Sequence, residues 1–599
     1  MSYTPYGPQT GPDDQGFYRP PPASSSMGGL GTLVGVVTCA AAIIACILAG
    51  LIYGNTQHLH NADLSTMYTL NTIDFCPSDF DRSTGLVIQK DGTHYRLVCA
   101  ENFSPSANGV HAITINANDV DIDLGSFPLS MDPSSTTYDN YGIVVGNGVQ
   151  NLRIHDGTIR GFSACGISGN ANWDTLIVEN LNIEGIPYAS GGSRISTTFL
   201  TGGICLLCSS SAPCTNFEAS NILVKDLSLT NSAPVNAEAI GGYLSYVTNV
   251  WIEHTWVTNT KTTHSVNQNT LTNADSIVLA WAFNTVTNIL LRDSHMDNGY
   301  CVPYTDGPNV DTDPVNGDVY GFQFFEVSGQ IEVTDCTVNN NVGNIRSGGF
   351  VFGFGTSNFM VERCQASNNT LLSYLNPNIQ SHYGFEVVSV PIFSPPESPN
   401  NNIASQGTFT DCVVTSMPLG FTSSFLGSSI IFKDCIASGS AAGYSTNIGS
   451  IGFEAGGYST NIIFDGCTAT NFQGAGDTVD VSHAGNGAGF FVGGGTANIT
   501  IKDCTSTQNN IGIQARPSAL GLVARNNDLY FNSLIAIYDE RTSQTPNLYI
   551  GNMAFGNGKI GSSQYAVVTA NPNFIQYQTS QSASFPLIAR PLTNYDLSP

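Results

Sequence analysis

Lys and Arg are rare in this sequence. Only 19 of its 599 residues are Lys or Arg, against 45 Asp or Glu, so the formal net charge is -26. A protein that binds nucleic acid neutralises phosphates with clustered Lys and Arg, and electrostatic adsorption to an anionic membrane needs the same clusters. The sequence therefore predicts no nucleic-acid partner and disfavours adsorption to acidic lipid.

Charged residues of both signs make up only 11% of the chain, while Gly, Asn, Ser and Thr are abundant. Helices favour Ala, Leu, Glu and Lys, whereas short strands joined by tight turns favour β-branched residues, Gly and Asn. We therefore expect an all-β protein.

Charge is missing altogether between Arg19 and Asp63, and this interval contains the apolar segment GGLGTLVGVVTCAAAIIACILAGLIYG at 28–54. About 20 apolar residues cross a bilayer core, so we interpret 28–54 as a single transmembrane helix in contact with membrane lipid. A cleaved signal peptide is the alternative, but the 27 residues upstream carry almost no positive charge.

The flanks of this segment predict its orientation. Arg19 precedes it, and no Lys or Arg follows until Arg82. This bias favours a cytoplasmic amino terminus, with the rest of the chain on the exoplasmic, lumenal or virion-exterior side. Residues 1–27 are rich in Pro, Tyr and Gly and are expected to form a disordered tail.

One phrase recurs along the rest of the chain. It reads IEVTDCTVNNN at 331–341, FMVERCQASNN at 359–369, IIFKDCIASGS at 430–440 and ITIKDCTSTQN at 499–509. A Gly-Phe pair precedes each copy, with 14 residues from Phe322 to Cys336 and again from Phe350 to Cys364. Apolar residues alternate within short runs, which predicts strands. A repeat this short must stack on its neighbours to bury its apolar face.

From Asn108 to Asn557 these residues resemble the right-handed parallel β-helix of the pectin-lyase-like family, and ITINANDVDIDLG (113–125) is similar to its opening coil. The resemblance implies a solenoid of about 13–14 coils at 108–560, an N-terminal cap at 55–107 and a C-terminal cap or tail at 561–599. The opening coil and the phrase NMAFGNG (552–558) resemble β-helix proteins of large DNA viruses and bacteria.

Within each copy, the cysteine is predicted to point into a slot for a small buried side chain. The residue before it is expected at a bend, because Asp, Asn and Gly tolerate left-handed backbone angles; a catalytic row of acids is the alternative. Asn or Gly recurs four residues after the slot, and we interpret Asn298, Asn340 and Asn368 as a ladder whose amides cap the neighbouring coil. Such a ladder disfavours glycosylation of the sequon at Asn368 and leaves those at Asn102 and Asn498.

The remaining cysteines predict cross-links. In an exported domain Cys76 and Cys99 would bridge the region before the first coil, and two further bridges would join four more cysteines. Those four are Cys165, Cys205, Cys208 and Cys214. Zinc is the alternative for the latter set, but no second closely spaced pair of Cys or His lies near it. In the repeat itself, Cys364 and Cys412 are expected to lie more than one coil apart.

The loop YCVPYTDGPNVDTDPVNGD at 300–318 is the richest in chemistry. Aromatic rings beside carboxyls suit sugars, a pair of carboxylates could hydrolyse a glycosidic bond, and clustered oxygens could hold calcium. A solvated acidic loop is the plain alternative. The catalytic candidates are Asp306, Asp311 and Asp313, and the ligand-binding candidates are Tyr300, Tyr304 and Asp318, with Tyr374 and His382 from a second loop.

Comparison with enzymes of the resembled family weighs against catalysis. Thr305-Asp306-Gly307 resembles the Asn-Thr-Asp motif of polygalacturonases, but the adjacent Asp-Asp, His-Gly and Arg-Ile-Lys motifs of that family are missing. The Arg-x-Pro-x-x-Arg pattern of pectate lyases is missing too. We therefore expect a membrane-anchored surface or virion protein that is structural, binds glycans, or does both. A polysaccharide hydrolase or lyase and an architectural rod without ligand are the alternatives. No cofactor other than calcium is implied, and a homo-oligomer fits this fold.

Overall fold

The computed structural model describes the chain from Asn71 onward, in segments separated by gaps. These segments are 71–133, 139–185, 187–189, 193–195, 198–231, 236–264, 275–302, 316–343, 346–371, 382–389, 403–424, 426–439, 450–473, 486–493, 495–516, 519–539, 547–555, 557, 567–568 and 576–577. They belong to one unit that runs from Leu70 to Pro599. The predicted tail at 1–27 and the predicted span at 28–54 lie outside the described residues.

Strands account for nearly all regular structure in these segments, where the one helix is a 3-10 turn at Pro77–Asp79. They form three sheets. The first sheet contains Asn71–Phe75, Thr93–Leu97, Asn102–Phe103, Val120–Asp123, Pro128–Met131, Gln150–Arg160, Asp174–Glu184, Cys214–Lys225, Val247–Thr258, Thr287–Asp297, Ser328–Thr334, Thr337–Asn339, Ser357–Glu362, Gln365–Ser367, Ser405–Thr410, Val413–Thr415, Ser428–Lys433, Ile436–Ser438, Ile463–Asp465, Thr468–Thr470, Thr500–Lys502, Thr505–Thr507, Val523–Arg525, Asp528–Tyr530, Leu548–Ile550, Asn552–Phe555 and Gln576–Tyr577.

The second sheet runs along the whole solenoid, and the third contains strands from six coils. The second sheet contains Leu86–Ile88, Ile113–Ile115, Ile143–Val145, Cys165–Gly169, Ser193–Ile195, Thr198–Leu207, Asn236–Ser245, Asp275–Asn284, Asn316–Phe325, Arg346–Gly353, Tyr383–Val388, Leu419–Ser424, Ser450–Ala455, Asn486–Val492, Ile511–Ala515, Ile535–Asp539 and Val567–Val568. The third sheet contains Pro187–Ala189, Ser228–Asn231, Lys261–His264, Tyr300–Val302, Val342–Gly343 and Thr370–Leu371.

In the coils that have a strand in the third sheet, the chain visits the three sheets in the same order. For example, Asn316–Phe325 of the second sheet leads to Ser328–Thr334 and Thr337–Asn339 of the first, then to Val342–Gly343 of the third. The next strand, Arg346–Gly353, pairs in parallel with the strand that opened the coil. This repeated parallel pairing is a β-helix, and it confirms the predicted all-β solenoid.

Parallel pairing begins before the predicted first coil. Thr93–Leu97, within the residues expected to form the N-terminal cap, pairs in parallel with both Asn71–Phe75 and Val120–Asp123. The sequence of these early coils lacks the cysteine phrase, so the repeat could not reveal them. A disulfide joins Cys76 to Cys99 in this region. Two more join Cys165 to Cys205 and Cys208 to Cys214.

The bend before the cysteine slot has the predicted backbone. The ten residues at this position all have positive φ, between 41° and 66°. They are Asp156, Asn180, Asp226, Asp293, Asp335, Asp411, Asp434, Gly466, Asp503 and Asn526. The recurrent acid is therefore explained by its backbone conformation, because Asp, Asn and Gly adopt the left-handed region more readily than other residues.

The slot itself is a column of stacked thiols. Its six cysteines are at most 1% exposed: Cys336, Cys364, Cys412, Cys435, Cys467 and Cys504. The expected separation of Cys364 from Cys412 is wrong, because Gln365–Ser367 pairs directly with Val413–Thr415. The intervening insertion therefore lengthens one coil without adding another.

The predicted Asn ladder is real but displaced by one residue. Asn340 and Asn368 are exposed and have φ of 57° and 52°, so they form a second bend. The following residues are fully buried: the Asn369 side chain accepts the backbone N–H of Asn341 at 3.1 Å, and that of Asn341 accepts the N–H of Gly299 at 2.6 Å. Spacing alone missed this because Asn340 and Asn368 occupy the bend itself, and the side chain of the next residue is the buried one.

The Gly-Phe pair lies within the strands of the second sheet. A side chain at Gly321 would place its Cβ 2.1 Å from Val338, and one at Gly384 would lie 2.3 Å from Val414. The rings that follow stack along the axis, with centroids 5.1 Å apart for Phe322–Phe350 and 4.6 Å for Phe350–Phe385. Stacked aromatic pairs stabilise beyond the area they bury, so this column ties successive coils together.

Substitution of Asn369 by Ala should destabilise the protein by about 1–3 kcal/mol, because the N–H of Asn341 would remain buried without an acceptor. The matched control is Asn368→Gly, which keeps the left-handed backbone and should leave stability nearly unchanged. Urea or guanidinium unfolding of both variants measures the difference. Equal midpoints for the two variants would contradict the displaced ladder.

Candidate functional site

The outer face of the second sheet carries the candidate site. Side chains that point away from the core here form an apolar layer that includes Ile240, Leu279, Tyr320 and Val351. Next to this layer lies a cavity of about 570 Å³, lined by these residues together with several aromatic and acidic side chains. A cavity of this size falls within the range of small-ligand sites.

Strand register brings the polar lining residues together. Asp318 lies opposite Arg346, and Val351 lies opposite Glu386 on the next strand. Glu386 alternates with Phe385 and Val387, which are fully buried in the core. Because successive residues of a strand point to opposite faces, the carboxyl of Glu386 is directed to the outer side, where it lines the cavity.

A buried ion pair anchors one wall of the cavity. Arg346 Nη1 donates to Asp318 Oδ2 at 3.2 Å, and the two residues are 3% and 4% exposed. The Tyr320 hydroxyl also contacts Arg346. Burial, with the negative charge of Asp318, raises the pKa of Tyr320 well above its usual range, so the phenol stays protonated. Charges this deeply buried need partners, and this pair provides them.

Glu386 is the exceptional member of the cavity wall. It is only 4% exposed, and the described residues offer its carboxyl no hydrogen bond of normal geometry. Burial raises its pKa to about 7, with the nearby carboxyls of Glu454 and Asp318 adding to the rise and Arg346 opposing it. Partial removal from water disfavours the ionised form of a carboxyl, and groups with a raised pKa in a cleft are concentrated at functional sites.

A second carboxyl lies along the same column. Glu386 is opposite Thr422, and Thr422 is opposite Glu454 on the following strand. The Thr422 hydroxyl donates to Glu454 Oε2 at 3.1 Å, and burial raises the pKa of Glu454 to about 7. Two rungs of a sheet separate the two backbones by about 9–10 Å.

The structure places the predicted site residues in different environments. Asp318 lines the cavity as the partner of Arg346. Tyr300 is part of the third sheet and does not line it. His382 is 1% exposed, and its Nε2 donates to the carbonyl oxygen of Asn369; burial lowers its pKa to about 4, so the ring is neutral. The other candidates, Tyr304, Asp306, Asp311, Asp313 and Tyr374, lie outside the described residues.

Sequence reasoning missed Arg346, Glu386 and Glu454. They lie within core-forming strands rather than in the acidic loop, so a search for clustered loop acids passed over them. One signal was present in the sequence. The segments GFEVV (384–388) and GFEAG (452–456) each have an acid directly after the Gly-Phe pair. Most other copies have an uncharged residue there.

A second polar cluster lies on the first sheet. His155 is 6% exposed, with Nδ1 2.8 Å from Asp156 Oδ2 and Nε2 3.0 Å from Asp121 Oδ1. His94 Nδ1 approaches the other oxygen of Asp121 at 2.8 Å. Asp123 also has a carboxylate oxygen within 4.8 Å of His155 and Asp156. Both ring nitrogens of His155 already face carboxylates, so we interpret the cluster as a structural ion network.

Comparisons with known proteins leave the family open. No protein-family model and no curated protein matches the sequence. Among solved structures, tailspike protein 3 of bacteriophage CBA120 is similar, with 9% identity, 77% of this chain and 56% of that chain covered, and a TM-score of 0.34. The chain thus spans little more than half the length of that protein.

Two further structures are similar at the same level. One is the tailspike protein of E. coli bacteriophage HK620 in complex with a pentasaccharide, with 12% identity, 81% and 73% coverage and a TM-score of 0.35. The other is the catalytic unit of a GH87 alpha-1,3-glucanase from Streptomyces thermodiastaticus strain HF3-3, with 12% identity, 66% and 63% coverage and a TM-score of 0.26. Likenesses this remote carry no argument about activity.

The ion network should make stability depend on pH through His155. Burial and the charge of Arg153 lower its pKa, but hydrogen bonds to Asp121 and Asp156 and the charge of Asp121 outweigh them and raise it above the usual value of about 6.5. Its stabilisation is therefore complete below about pH 6.5 and is lost as pH rises through the folded pKa. His155→Gln should cost about 3 kcal/mol or more at pH 6, because it leaves Asp121 buried with one partner fewer, and less at pH 9.

Unfolding midpoints of the parent and the variant between pH 6 and 9 measure this effect. The control is His254→Gln at an exposed bend, which should show little difference at any pH. A constant gap between the parent and His155→Gln across this range would show that the ring is not charged in the fold.

Proposed function

We propose that the protein is a glycan-binding β-helix whose binding site is the cavity on the outer face of the second sheet. The observation that carries the proposal is Glu386, a buried carboxyl in an aromatic-lined cavity. Tyr243, Tyr320 and Phe325 line the same space. Aromatic faces pack against the apolar faces of sugar rings, while a few polar groups fix their hydroxyls.

The same observation disfavours an architectural rod without ligand. A solenoid needs stacked apolar columns and bends, which this chain has on its inner side and at its corners. It gains nothing from a carboxyl that is buried on the outer side, because burial destabilises the charged form. Local features that oppose stability are expected at functional sites.

Glycoside hydrolysis is a second candidate, favoured by the pair Glu386 and Glu454. Both have a pKa raised to about 7, so near neutral pH one can be protonated while the other is ionised. A general acid and a general base of this kind are what hydrolysis of a glycosidic bond requires. Glu386 would then both bind the sugar and take part in proton transfer.

A glycan panel tests binding and turnover in the same samples. Glu386→Gln should weaken retention of the bound glycan by about tenfold or more, since a hydrogen bond to a charged group contributes about 1.5–3 kcal/mol. Glu362→Gln, on the first sheet, is the matched control and should bind as the parent does. Release of reducing ends by the parent, lost in both Glu386→Gln and Glu454→Gln, would establish hydrolysis. Failure of the parent to bind any glycan across a broad panel would remove the proposal.

We further propose that residues 28–54 anchor this β-helix in a membrane, so that the cavity is displayed on the exoplasmic or virion-exterior side. The support is the uncharged apolar length of the segment. In the described part of the chain, no helix is long and apolar enough to cross a bilayer. The anchor therefore rests on the sequence of 28–54 alone.

The full-length protein should stay in the membrane fraction after carbonate extraction. A variant that lacks residues 28–54 should be found in the supernatant. Deletion of 1–27 should leave the protein in the membrane, because the apolar segment remains. A mature amino terminus that begins after residue 54 would identify the segment as a cleaved signal peptide. Either that result or a soluble parent protein would overturn the anchor.

A further inference from the structure

The charge of the cavity restricts the glycans it can hold. Among its described lining residues, four carry carboxyls, Glu238, Asp318, Glu326 and Glu386, and one, Arg346, carries a positive charge. Glu238 and Glu326 lie toward the more exposed part of the lining, while Asp318 and Glu386 are buried. The balance within the cavity is therefore acidic, as it is for the whole chain.

The single cation is already engaged. Arg346 Nη1 is bound to Asp318 Oδ2 at 3.2 Å, and the guanidinium also contacts Tyr320. Sites that recognise carboxylates or sulfates on sugars rely on Arg or Lys that can make charge-assisted bonds to the ligand. A uronate or sulfated glycan would have to displace Asp318 from Arg346 and would face the carboxyl of Glu386 at the same time.

The carboxyl that remains for a ligand is Glu386. It lines the cavity and is 4% exposed, and it makes no normal hydrogen bond to the described part of the protein. Tyr320 is the aromatic lining residue whose pKa the charge of Glu386 affects, so its ring lies near this carboxyl. A carboxylate near an aromatic ring is an environment for an ammonium group, which gains from the ion pair and from the face of the ring.

We propose that the cavity selects a glycan with free amino groups, in which a hexosamine ammonium binds the carboxylate of Glu386, and that it rejects acidic glycans. This inference rests on the proposed glycan-binding function and specifies its ligand. Ionised Glu386 would provide the counter-charge, and Arg346 would hold Asp318 in the wall rather than contact the sugar. The raised pKa of Glu386 agrees with this role, because a cation bound beside the carboxyl would restore its ionised form.

Three oligosaccharides of equal length test the inference on the full-length protein in detergent at pH 7. They are a glucosamine hexamer with free amines, its N-acetylated counterpart, and a hexamer of galacturonate. Isothermal titration calorimetry should show the free amine binding on the order of tenfold more tightly than the N-acetylated form. The galacturonate hexamer should bind more weakly than either.

Two variants test whether Glu386 causes the preference for the free amine. Glu386→Gln should reduce the preference for the free amine over the N-acetylated form to about twofold or less, since an amide cannot provide the counter-charge. Glu362→Gln, on the first sheet and outside the cavity lining, is the matched control and should keep the preference. Circular dichroism spectra and unfolding midpoints will establish whether both variants are folded.

The outcomes separate this inference from the proposed function. If the galacturonate hexamer binds as tightly as the amino sugar, or if N-acetylation does not weaken binding, the ammonium site is wrong although the cavity still binds glycans. If the preference persists in Glu386→Gln, another carboxyl is responsible and the inference also fails. If no member of the wider glycan panel binds, the proposed function itself fails.

Discussion

The structure depends on the in-register stacking of one coil on the next. Each strand pairs in parallel with the equivalent strand of the neighbouring coil, so equivalent side chains form columns along the axis. Phe322, Phe350 and Phe385 form one such column, and the buried thiols form another. Every member of a column must fit the same confined space, which is why the repeat has small residues at the slot and Gly before the stacked rings.

The same stacking creates the candidate site. Because register is maintained on the outer face as well, residues far apart in sequence become neighbours: Asp318 meets Arg346 across 28 positions, and Glu386 joins the column that contains Thr422 and Glu454. The strands hold these side chains on a rigid surface rather than on loops. A rigid surface positions binding groups more closely than loops do, at the expense of burying a carboxyl that destabilises the fold.

The polar groups of the two exposed sheets have different roles. On the first sheet, His155 is surrounded by carboxylates, so its charge is balanced within the protein. On the second sheet, Arg346 is balanced by Asp318, but Glu386 is not balanced in the same way. The distinction follows from geometry rather than composition, because both regions hold acids and a base. It makes the second sheet the better candidate for a ligand.

The sequence by itself determined the all-β class, the coil repeat and the left-handed bends, because these follow from local periodicity and from the backbone preferences of Asp, Asn and Gly. It also indicated which cysteines lie in the core. It misplaced the Asn ladder by one residue and the separation of Cys364 from Cys412, since both depend on where the chain turns. The meeting of Asp318, Tyr320, Arg346 and Glu386 was decided only by tertiary structure. Burial and pairing between coils set the charge of these groups, and no local pattern records which strands become neighbours.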